Sequence, residues 1–306
     1  SLTENVTSGC VLPLWGLPFE PGDTLLLSDA EHPGVVAACQ ELARRQGLSI
    51  SWFSARDCRS DAALLESLES ALEPSTRLVV LSHLLWNSGL AMPIEAVAAR
   101  LKQHPRQPWL LVDAAQSMGS LELGGVPNAA DIYAFTGHKW CCGPEGLGGV
   151  ALSERVLEQS QPTVIGWRSL RNENSSGSQW HHDGRRFEVA TSCIPLGAGL
   201  RSSLDLLEQL GNAQQRQALI CERSARLWNG LQQIPAVHTV VQEAPPASGL
   251  VSFTLDHTPA PEAVSALADQ NFQLRSLEDP LCLRACTHVF STETEIDQLL
   301  EAIGQL

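Results

Sequence analysis

One lysine stands out in the segment "TGHKWCCGPEG", where Lys139 lies between a histidine and a tryptophan and is followed by two cysteines. Two other polar residues, Asp113 and Gln116, are three positions apart in "VDAAQS". A carboxylate can keep a pyridine nitrogen protonated, an amide can donate a hydrogen bond to a phenolic oxygen, and a lysine can form a Schiff base. Together the three residue types suit a pyridinium cofactor that acts as an electron sink.

Simpler interpretations exist for each of these residues. Most lysines are solvated surface charges, and Asp113 could cap a helix while Gln116 has no special role. An adjacent pair of cysteines, Cys141 and Cys142, does not predict a metal site without further ligands. The glycines over 143–149 match neither glycine-rich phosphate fingerprint. We therefore predict no metal and no nucleotide loop here.

Strand and helix patterns alternate through the first two thirds of the chain. This βαβ rhythm predicts an α/β fold with a mostly parallel, doubly wound sheet, whose ligands bind beyond the carboxyl ends of the strands. Lys139 directly follows a strand pattern over 131–136, and Asp113 and Gln116 lie at the end of another. The other predicted strands cover 23–29, 48–54, 76–83 and 108–117, and the helices between them cover 34–47, 61–72 and 93–104.

The regular alternation of strand and helix patterns ends after residue 154. A polar, glycine-containing loop is predicted over 168–186, and it is too long for a simple connector. A helical region over 197–233 then leads to a compact end, in which helices are predicted over 260–270 and 292–306. We predict a large domain over 1–195, followed over 196–306 by a connecting helix and a smaller α/β domain.

Composition limits the classes of partner. The chain has 306 residues, 43% of them hydrophobic, and a net charge of -14, which would repel nucleic acids and anionic membranes. Nine cysteines without a C-x-x-C pair predict neither a disulfide framework nor a zinc cage. The sequence has neither a signal-peptide pattern nor an apolar stretch that could span a bilayer, so we expect a cytoplasmic protein that acts on small molecules. The abrupt start, "SLTENVTSGC", predicts that an amino-terminal segment is missing.

The motif "DxxQ" followed by "TGHK" resembles the fold-type I pyridoxal phosphate (PLP) enzymes of the class V aminotransferase and cysteine desulfurase group. The resemblance covers essentially the whole chain, with its landmarks in the family's order. It implies a PLP-dependent transferase-like fold in which Lys139 forms the Schiff base and Asp113 pairs with the pyridine nitrogen. Gln116 would contact the phenolate oxygen, and Thr136 and His138 would hold the phosphate.

The same resemblance assigns roles to other residues. It places Thr3 and Glu4, in "LTENVTSG", at a helix amino terminus that receives the phosphate, which suits a dianion physically. It implies that His83 stacks on the cofactor ring, although a histidine at a strand end can also serve structure alone. It implies a homodimer in which Thr191, in "RFEVATS", reaches the partner's phosphate. Trp167 is a candidate for the substrate entrance, and a packing role fits it equally well.

Two arginines are nine residues apart in the carboxyl-terminal part. An arginine fork suits an amino-acid carboxylate, and by the resemblance Arg284 binds the α-carboxylate of the substrate. Arg275 matches a second arginine, which could bind a second carboxylate or form an ordinary surface ion pair.

The resemblance leaves the reaction open between relatives. Cysteine desulfurases carry a nucleophilic cysteine on a loop between the two arginine positions. Here that segment is short, and Cys282 within it lacks the usual flanking residues. The best match is the L-cysteine/cystine C-S lyase branch, in which Lys139 takes the Cα proton, the β-sulfur leaves, and cystine gives pyruvate, ammonia and a persulfide.

Several alternatives remain. One is a desulfurase or selenocysteine lyase that gives alanine, with Cys282 as sulfur acceptor and a possible acceptor protein as partner, as in iron-sulfur cluster assembly. Others are a related aminotransferase or epimerase, or a catalytically incompetent binding protein if the amino terminus is naturally short.

Overall fold

The structure is a computed structural model that describes residues 1–172 and 179–306. Its strands are β1 Leu2–Thr3, β2 Thr24–Ser28, β3 Ser49–Phe53, β4 Thr76–Ser82, β5 Trp109–Asp113, β6 Ile132–Thr136, β7 Gly148–Leu152, β8 Val237–Thr239, β9 Leu250–Leu255, β10 Arg275–Glu278 and β11 Leu281–Cys286. Its α-helices are α1 Val6–Leu14, α2 Pro33–Gln46, α3 Asp61–Ala71, α4 Ile94–Leu101, α5 Val126–Ala129, α6 Glu154–Gln159, α7 Ile194–Gln209, α8 Ala213–Leu231, α9 Ala260–Ala268 and α10 Glu293–Ile303.

Seven strands form one large sheet in the order β1-β7-β6-β5-β4-β2-β3. The pairs from β3 through β6 are parallel, whereas β7 pairs antiparallel with both β6 and β1. Every residue of β2 and β5 is buried. Such apolar runs, buried on both faces, are typical of interior parallel strands. The predicted α/β fold with a mostly parallel sheet is confirmed.

Helix α1 packs closely on the large sheet through Gly9. A Cβ atom at this position would lie 3.0 Å from the Cβ of Ala134 in β6 and 3.2 Å from the carbonyl oxygen of Gly149 in β7. Only a very small residue fits such a contact. Cys10 and Leu14 of the same helix join a core cluster that also contains Cys39 of α2.

Four strands form a second, antiparallel sheet in the order β10-β11-β9-β8. Its core joins Leu227 of α8 and Ile296 of α10 to Phe253 and Leu283 of the sheet. Helix α10 begins with a capping box at Thr292, which satisfies the first amides of the helix.

The chain groups into two compact units. One comprises residues 1–83, 92–119 and 123–207, and the other comprises 84–91, 120–122 and 208–306. The predicted boundary between residues 195 and 196 falls inside helix α7, and the division into a large and a smaller domain stays a prediction. In the described ranges, no helix combines the length and apolar character that a membrane crossing requires.

Some predicted elements differ from those observed. The helical region predicted over 197–233 consists of two helices, because Gly211 adopts a φ of 119° and Asn212 caps the start of α8. The strand predicted over 108–117 ends at Asp113, where the chain turns into a loop. Residues 173–178 of the predicted polar loop lie outside the described residues.

Candidate active site

Three neighbouring strands of the large sheet end at residues that the sequence singled out. Strands β4, β5 and β6 end at Ser82, Asp113 and Thr136. Ser82 is the direct partner of Asp113, and Asp113 is in turn the partner of Ala134. Because parallel strands present their carboxyl ends at one edge of a sheet, the segments that follow them begin side by side.

The Asp113 carboxyl group is buried at this edge, with 6% of the residue exposed. Its Oδ1 accepts a 2.8 Å hydrogen bond from the Ala115 backbone N–H, which orients the side chain. Burial raises the pKa of Asp113, while the Ala115 bond and the charges of Lys139 and His32 oppose that shift. A cation placed beside Asp113 would stabilise its carboxylate form.

Gln116 is tied to the segment that carries the lysine. Its Oε1 accepts a 2.8 Å hydrogen bond from the indole N–H of Trp140, next to Lys139 in the chain. This bond directs the amide oxygen of Gln116 toward the indole.

Gly119 allows the loop after β5 to approach the chain after Lys139. Gly119 has a φ of +92°, and a Cβ atom there would lie 2.7 Å from the carbonyl carbon of Trp140 and 2.8 Å from the nitrogen of Cys141. No larger residue fits this contact without a backbone shift. The approach holds the segments of Gln116 and Lys139 together.

Lys139 is half-buried in the turn that follows β6. Its carbonyl oxygen accepts a 3.0 Å hydrogen bond from the Cys142 N–H, which closes the turn. The lysine charge acts on Asp113. The structure therefore brings together the predicted acid, amide and amine of Asp113, Gln116 and Lys139.

The residues predicted to hold the phosphate lie across the β1-β7-β6 part of the sheet. Thr3 and Thr136 are both direct partners of Gly148, so their side chains share one face of the sheet. The Thr136 hydroxyl lies 2.7 Å from Nδ1 of His138. Glu4 is exposed beside them.

Helix α1 begins directly after Thr3 and Glu4. Asn5 caps this helix by accepting a hydrogen bond from the Ser8 N–H, and the Thr3 hydroxyl donates to the Asn5 carbonyl oxygen at 3.0 Å. The amide groups of a first helical turn, together with hydroxyl donors, suit an anion. This end of the sheet can therefore accept a phosphate.

His83 has a structural partner. Its Nδ1 lies 2.9 Å from the hydroxyl of Tyr133, and the two rings meet edge to face. Burial lowers the pKa of His83 to about 4, so the imidazole is neutral near pH 7. Stacking of His83 on a cofactor ring stays a prediction.

Two residues in the turn between β2 and α2 lie near the site and were not predicted from the sequence as site residues. His32 caps α2, with its Nδ1 accepting from the Gly34 N–H at 3.1 Å, and its imidazole is exposed and acts on the charge of Asp113. Glu31 is buried beside it. Both follow the end of β2, so the carboxyl-end rule applied to that strand would have found them. His32 is a second candidate for an imidazole that faces a bound ring.

Thr191 is exposed and lines a cavity of about 490 Å³. Thr3 and Glu4 of the same chain line that cavity as well. Trp167, predicted for the substrate entrance, is 57% exposed. The next residue, Arg168, binds Glu188 at 2.9 Å, which places the Trp167 turn against the segment that leads to Thr191.

The two arginines lie on adjacent strands of the smaller sheet. Arg275 of β10 is the direct partner of Arg284 of β11, so both side chains emerge on the same face. Arg284 Nη1 donates a 2.7 Å hydrogen bond to the Trp86 carbonyl oxygen. Its Nε is buried and makes no hydrogen bond within the described residues. Arg275 is exposed.

Cys282 is in β11, between Arg275 of β10 and Arg284 of β11 in the sequence. It has no exposed surface, and burial raises the pKa of its thiol to about 11. A two-residue turn, Asp279 and Pro280, joins β10 to β11. Reactive thiols are accessible and have a lowered pKa, and Cys282 has neither property.

The residues at the carboxyl-end edge fit the pyridinium cofactor that the sequence predicts. Asp113 is a buried acid whose hydrogen bond within the described residues comes from a backbone amide. Burial raises the pKa of Asp113 despite the charges of Lys139 and His32, so a protonated ring nitrogen beside it would favour its carboxylate form. Lys139 and the Gln116 amide lie on the adjoining segments, and Thr3 and Thr136 flank a helix amino terminus.

Comparison with known proteins finds similarity over the whole chain. The family model described as aminotransferase class V matches residues 3–299. The chain is 27% identical to the cysteine desulfurase of Haloferax volcanii, over 98% of this chain and 72% of the relative. It is 29% identical to the isopenicillin N epimerase of Streptomyces clavuligerus, over 100% of this chain and 79% of the relative.

A solved structure is more similar. The cystine C-S lyase C-DES, in complex with its reaction product cysteine persulfide, is 42% identical and superposes with a TM-score of 0.95. The match covers 100% of this chain and 81% of the lyase chain. In a mutant of C-DES, glycine is covalently linked to the PLP cofactor.

Proposed function

The chain belongs to the aminotransferase class V family, and from this premise we propose that it is a carbon-sulfur lyase acting on cystine. Enzymes of this family use PLP, so the predicted cofactor and the predicted PLP-dependent enzyme class are confirmed. The proposed reaction converts cystine and water into pyruvate, ammonia and cysteine persulfide. The 42% identity of the chain to the cystine C-S lyase supports cystine as the substrate.

The proposed cofactor site uses the residues at the carboxyl-end edge. Asp113 would face the ring nitrogen, Gln116 the phenolic oxygen, and Thr3, Thr136 and His138 the phosphate. When bound, PLP supplies an electron sink that stabilises the charge left on Cα after loss of a proton. The Asp113 carboxylate would maintain that property by keeping the ring nitrogen protonated.

The proposed proton transfer uses Lys139. Lys139 would hold the cofactor through its Nζ atom, and the same atom, when free, would take the Cα proton of the substrate as general base. The turn closed by the Cys142 N–H fixes the lysine backbone. The β-sulfur then leaves with the electron pair of the C–S bond. A departing persulfide anion is less basic than a thiolate, so cystine is a better substrate than cysteine.

The arginine pair is proposed to bind the carboxylates of the substrate. Arg284 is already oriented by its bond to Trp86 and keeps a buried Nε donor available. An arginine held in this way can bind a carboxylate through two parallel hydrogen bonds. Arg275 on the same face adds a second cation, and cystine carries a second carboxylate.

The burial of Cys282 is the observation that carries the choice of lyase over desulfurase. A desulfurase needs an accessible thiol on a mobile segment to take the sulfur from the substrate. Cys282 has no exposed surface, and the two-residue turn before it leaves no chain for a mobile arm. A sulfur that cannot reach a protein thiol leaves with the small-molecule product.

The desulfurase similarity nevertheless makes alanine production a second candidate function. Both candidates are tested by incubating the purified protein with cystine and with cysteine and measuring pyruvate, alanine and persulfide together. We expect pyruvate and persulfide from cystine, with rates unchanged in Cys282→Ser. The exposed neighbour Cys286→Ser serves as the matched control. Alanine as the main product, lost in Cys282→Ser, would falsify the lyase proposal.

We also propose that the protein works as a homodimer. The surface near Thr191 carries unusually exposed apolar side chains, with Ile194 82%, Leu2 53% and Val164 50% exposed. Apolar patches of this kind mark protein interfaces. In the dimer, Thr191 would reach the partner's phosphate.

A further inference from the structure

Glu31 is a buried acid that the proposed reaction does not use. It lies in the turn between β2 and α2, with 7% of the residue exposed. Its Oε1 accepts hydrogen bonds from the Ser28 hydroxyl at 2.6 Å and the Ser82 backbone N–H at 2.8 Å. Its Oε2 lies 2.8 Å from the Ser82 hydroxyl. The carboxyl group therefore joins the end of β2 to the end of β4.

This junction adjoins the proposed cofactor site. Ser82 is the direct partner of Asp113, and the next residue, His83, donates its backbone N–H to the Asp113 carbonyl oxygen at 3.0 Å. On the other side, Glu31 immediately precedes His32, which acts on the charge of Asp113. A shift of Glu31 would therefore move Ser82, the strand partner of Asp113, and His32, whose charge acts on Asp113.

The surroundings of Glu31 favour its neutral form. In the described ranges Glu31 has no ion-pair partner, and the titratable groups that act on it or feel its charge are Cys10 of α1, Cys39 of α2 and Asp113 of β5. Burial raises the thiol pKa of Cys10 well above its ordinary value and that of Cys39 to about 12, so neither thiol carries charge near neutral pH. The charge of Asp113 also raises the pKa of Glu31, whereas the hydrogen bonds from Ser28 and Ser82 lower it without cancelling the effect of burial.

The hydrogen bonds of Glu31 are compatible with that proton. Burial, more than the charge of Asp113, raises the pKa of Glu31 to about 7. The Ser82 hydroxyl can accept a hydrogen bond as well as donate one, so it can pair with a protonated Oε2. The other oxygen accepts from two donors in either state.

We propose that Glu31 is a positioning residue for the Asp113 site, tying β2 to β4 through hydrogen bonds to Ser28 and Ser82 and holding a proton below pH 7, so that it adds no negative charge beside Asp113 there. The inference rests on the proposed cofactor role of Asp113. Glu31 touches no reacting atom in this scheme, and acts by placing its neighbours and by remaining uncharged.

The proton is tested by comparing the wild-type holoenzyme with Glu31→Gln, which keeps the size and neutrality of the protonated acid. The infrared spectrum of the wild type at pH 6 should show the carbonyl band of a neutral carboxylic acid. This band should be lost at pH 9. It should be missing from Glu31→Gln. The exposed Glu66→Gln is the matched control and should keep the band. A wild-type spectrum without this band overturns the proton assignment.

Stability gives an independent readout. Because the pKa of Glu31 is higher in the folded protein than in the unfolded chain, its stabilising effect is lost as pH rises from about 4.3 through about 7. Glutamine has no such loss. The folding equilibrium constant of Glu31→Gln relative to wild type should therefore rise on the order of ten-fold or more between pH 5 and pH 8.5. A ratio that does not change with pH contradicts the proposal.

The positioning role is tested by cofactor affinity, measured as PLP binding to protein from which the cofactor has been removed. Glu31→Gln should bind within about two-fold of wild type, whereas Glu31→Leu leaves the Ser82 N–H unpaired and should bind about ten-fold more weakly. If Glu31→Leu does not fold, Ser82→Ala decides, since it removes one hydroxyl contact and should weaken binding about five-fold. Unchanged affinity in Ser82→Ala, or in a folded Glu31→Leu, overturns the role.

These readouts separate the inference from the proposed reaction. Infrared bands, stability and PLP affinity do not require turnover. A wild-type protein that makes no pyruvate from cystine but keeps the Glu31 signature would refute the reaction and leave the positioning role in place.

Discussion

Asp113 is the residue on whose charge the proposed chemistry depends most directly. Asp113→Asn keeps the shape of the side chain but cannot hold a ring nitrogen protonated. We expect the rate of pyruvate formation from cystine to fall on the order of a hundred-fold or more, by analogy with the loss of other charge-stabilising groups. The visible absorbance of bound PLP should remain, because Lys139 is intact. Asp57→Asn, at an exposed position, should leave the rate unchanged.

Arg275 should decide between cystine and cysteine. Its guanidinium emerges beside that of Arg284 and is exposed. Loss of one charged hydrogen-bonding partner costs about 1.5–3 kcal/mol, so Arg275→Ala should raise KM for cystine about ten-fold or more. KM for cysteine, which has one carboxylate, should change little. An equal rise for both substrates would assign Arg275 to the α-carboxylate or to structure.

His83 should make stability depend on pH. Burial lowers the pKa of His83 to about 4 in the folded protein, against about 6.5 in an unfolded chain. Between these values the unfolded chain binds more protons, so the contribution of His83 is lost as pH falls from about 6.5 toward 4. From pH 7 to pH 4.5 the free energy of unfolding of wild type should fall about 2–3 kcal/mol more than that of His83→Gln. His257→Gln, at an exposed site, should behave as wild type.

The loop after β5 makes a close backbone contact with the segment that follows Lys139. Gly119 combines a positive φ with backbone contacts of 2.7 and 2.8 Å to an added Cβ, so Gly119→Ala should destabilise the protein by about 2–4 kcal/mol. Gly197 in α7 has nothing within 4 Å of an added Cβ. Gly197→Ala should therefore stabilise by about 0.5–1 kcal/mol. Chemical unfolding of both variants provides the comparison.

Elements with strong local signals could be predicted from the sequence. The apolar runs of β2, β4 and β5 are buried on both faces, which is why their pattern predicted a parallel sheet. The break between α7 and α8 was missed because the region was interpreted as one long helix. The signal was Gly211 followed by Asn212, a helix stop followed by a cap.

Pairings that depend on tertiary contacts could not be predicted. The sequence shows two arginines nine residues apart, but their direct pairing depends on the two-residue turn between β10 and β11. The burial of Cys282 follows from the same register. The contacts of Gln116 with Trp140 and of His83 with Tyr133 join residues 24 and 50 positions apart, and no local pattern encodes them.

At the scale of the whole molecule, the exposed apolar surface around Ile194 predicts self-association. Ile194→Asp should shift the protein from dimer to monomer in analytical ultracentrifugation, because it places a charge within the proposed interface. Loss of PLP affinity should accompany the shift if Thr191 serves the partner's phosphate. Leu306→Asp, at the carboxyl-terminal residue, is the matched control. A wild-type monomer would contradict the dimer proposal.

The short turn between β10 and β11 and the burial of Cys282 also determine the state of the enzyme at the end of each proposed turnover. A protein that stores sulfur on its own thiol stops after one equivalent until a reductant or acceptor removes it. With Cys282 enclosed in the sheet, each proposed turnover ends with the polypeptide in its starting oxidation state. Progress curves should then be linear from the first turnover without added thiol, and sulfur should travel by diffusion of a small molecule.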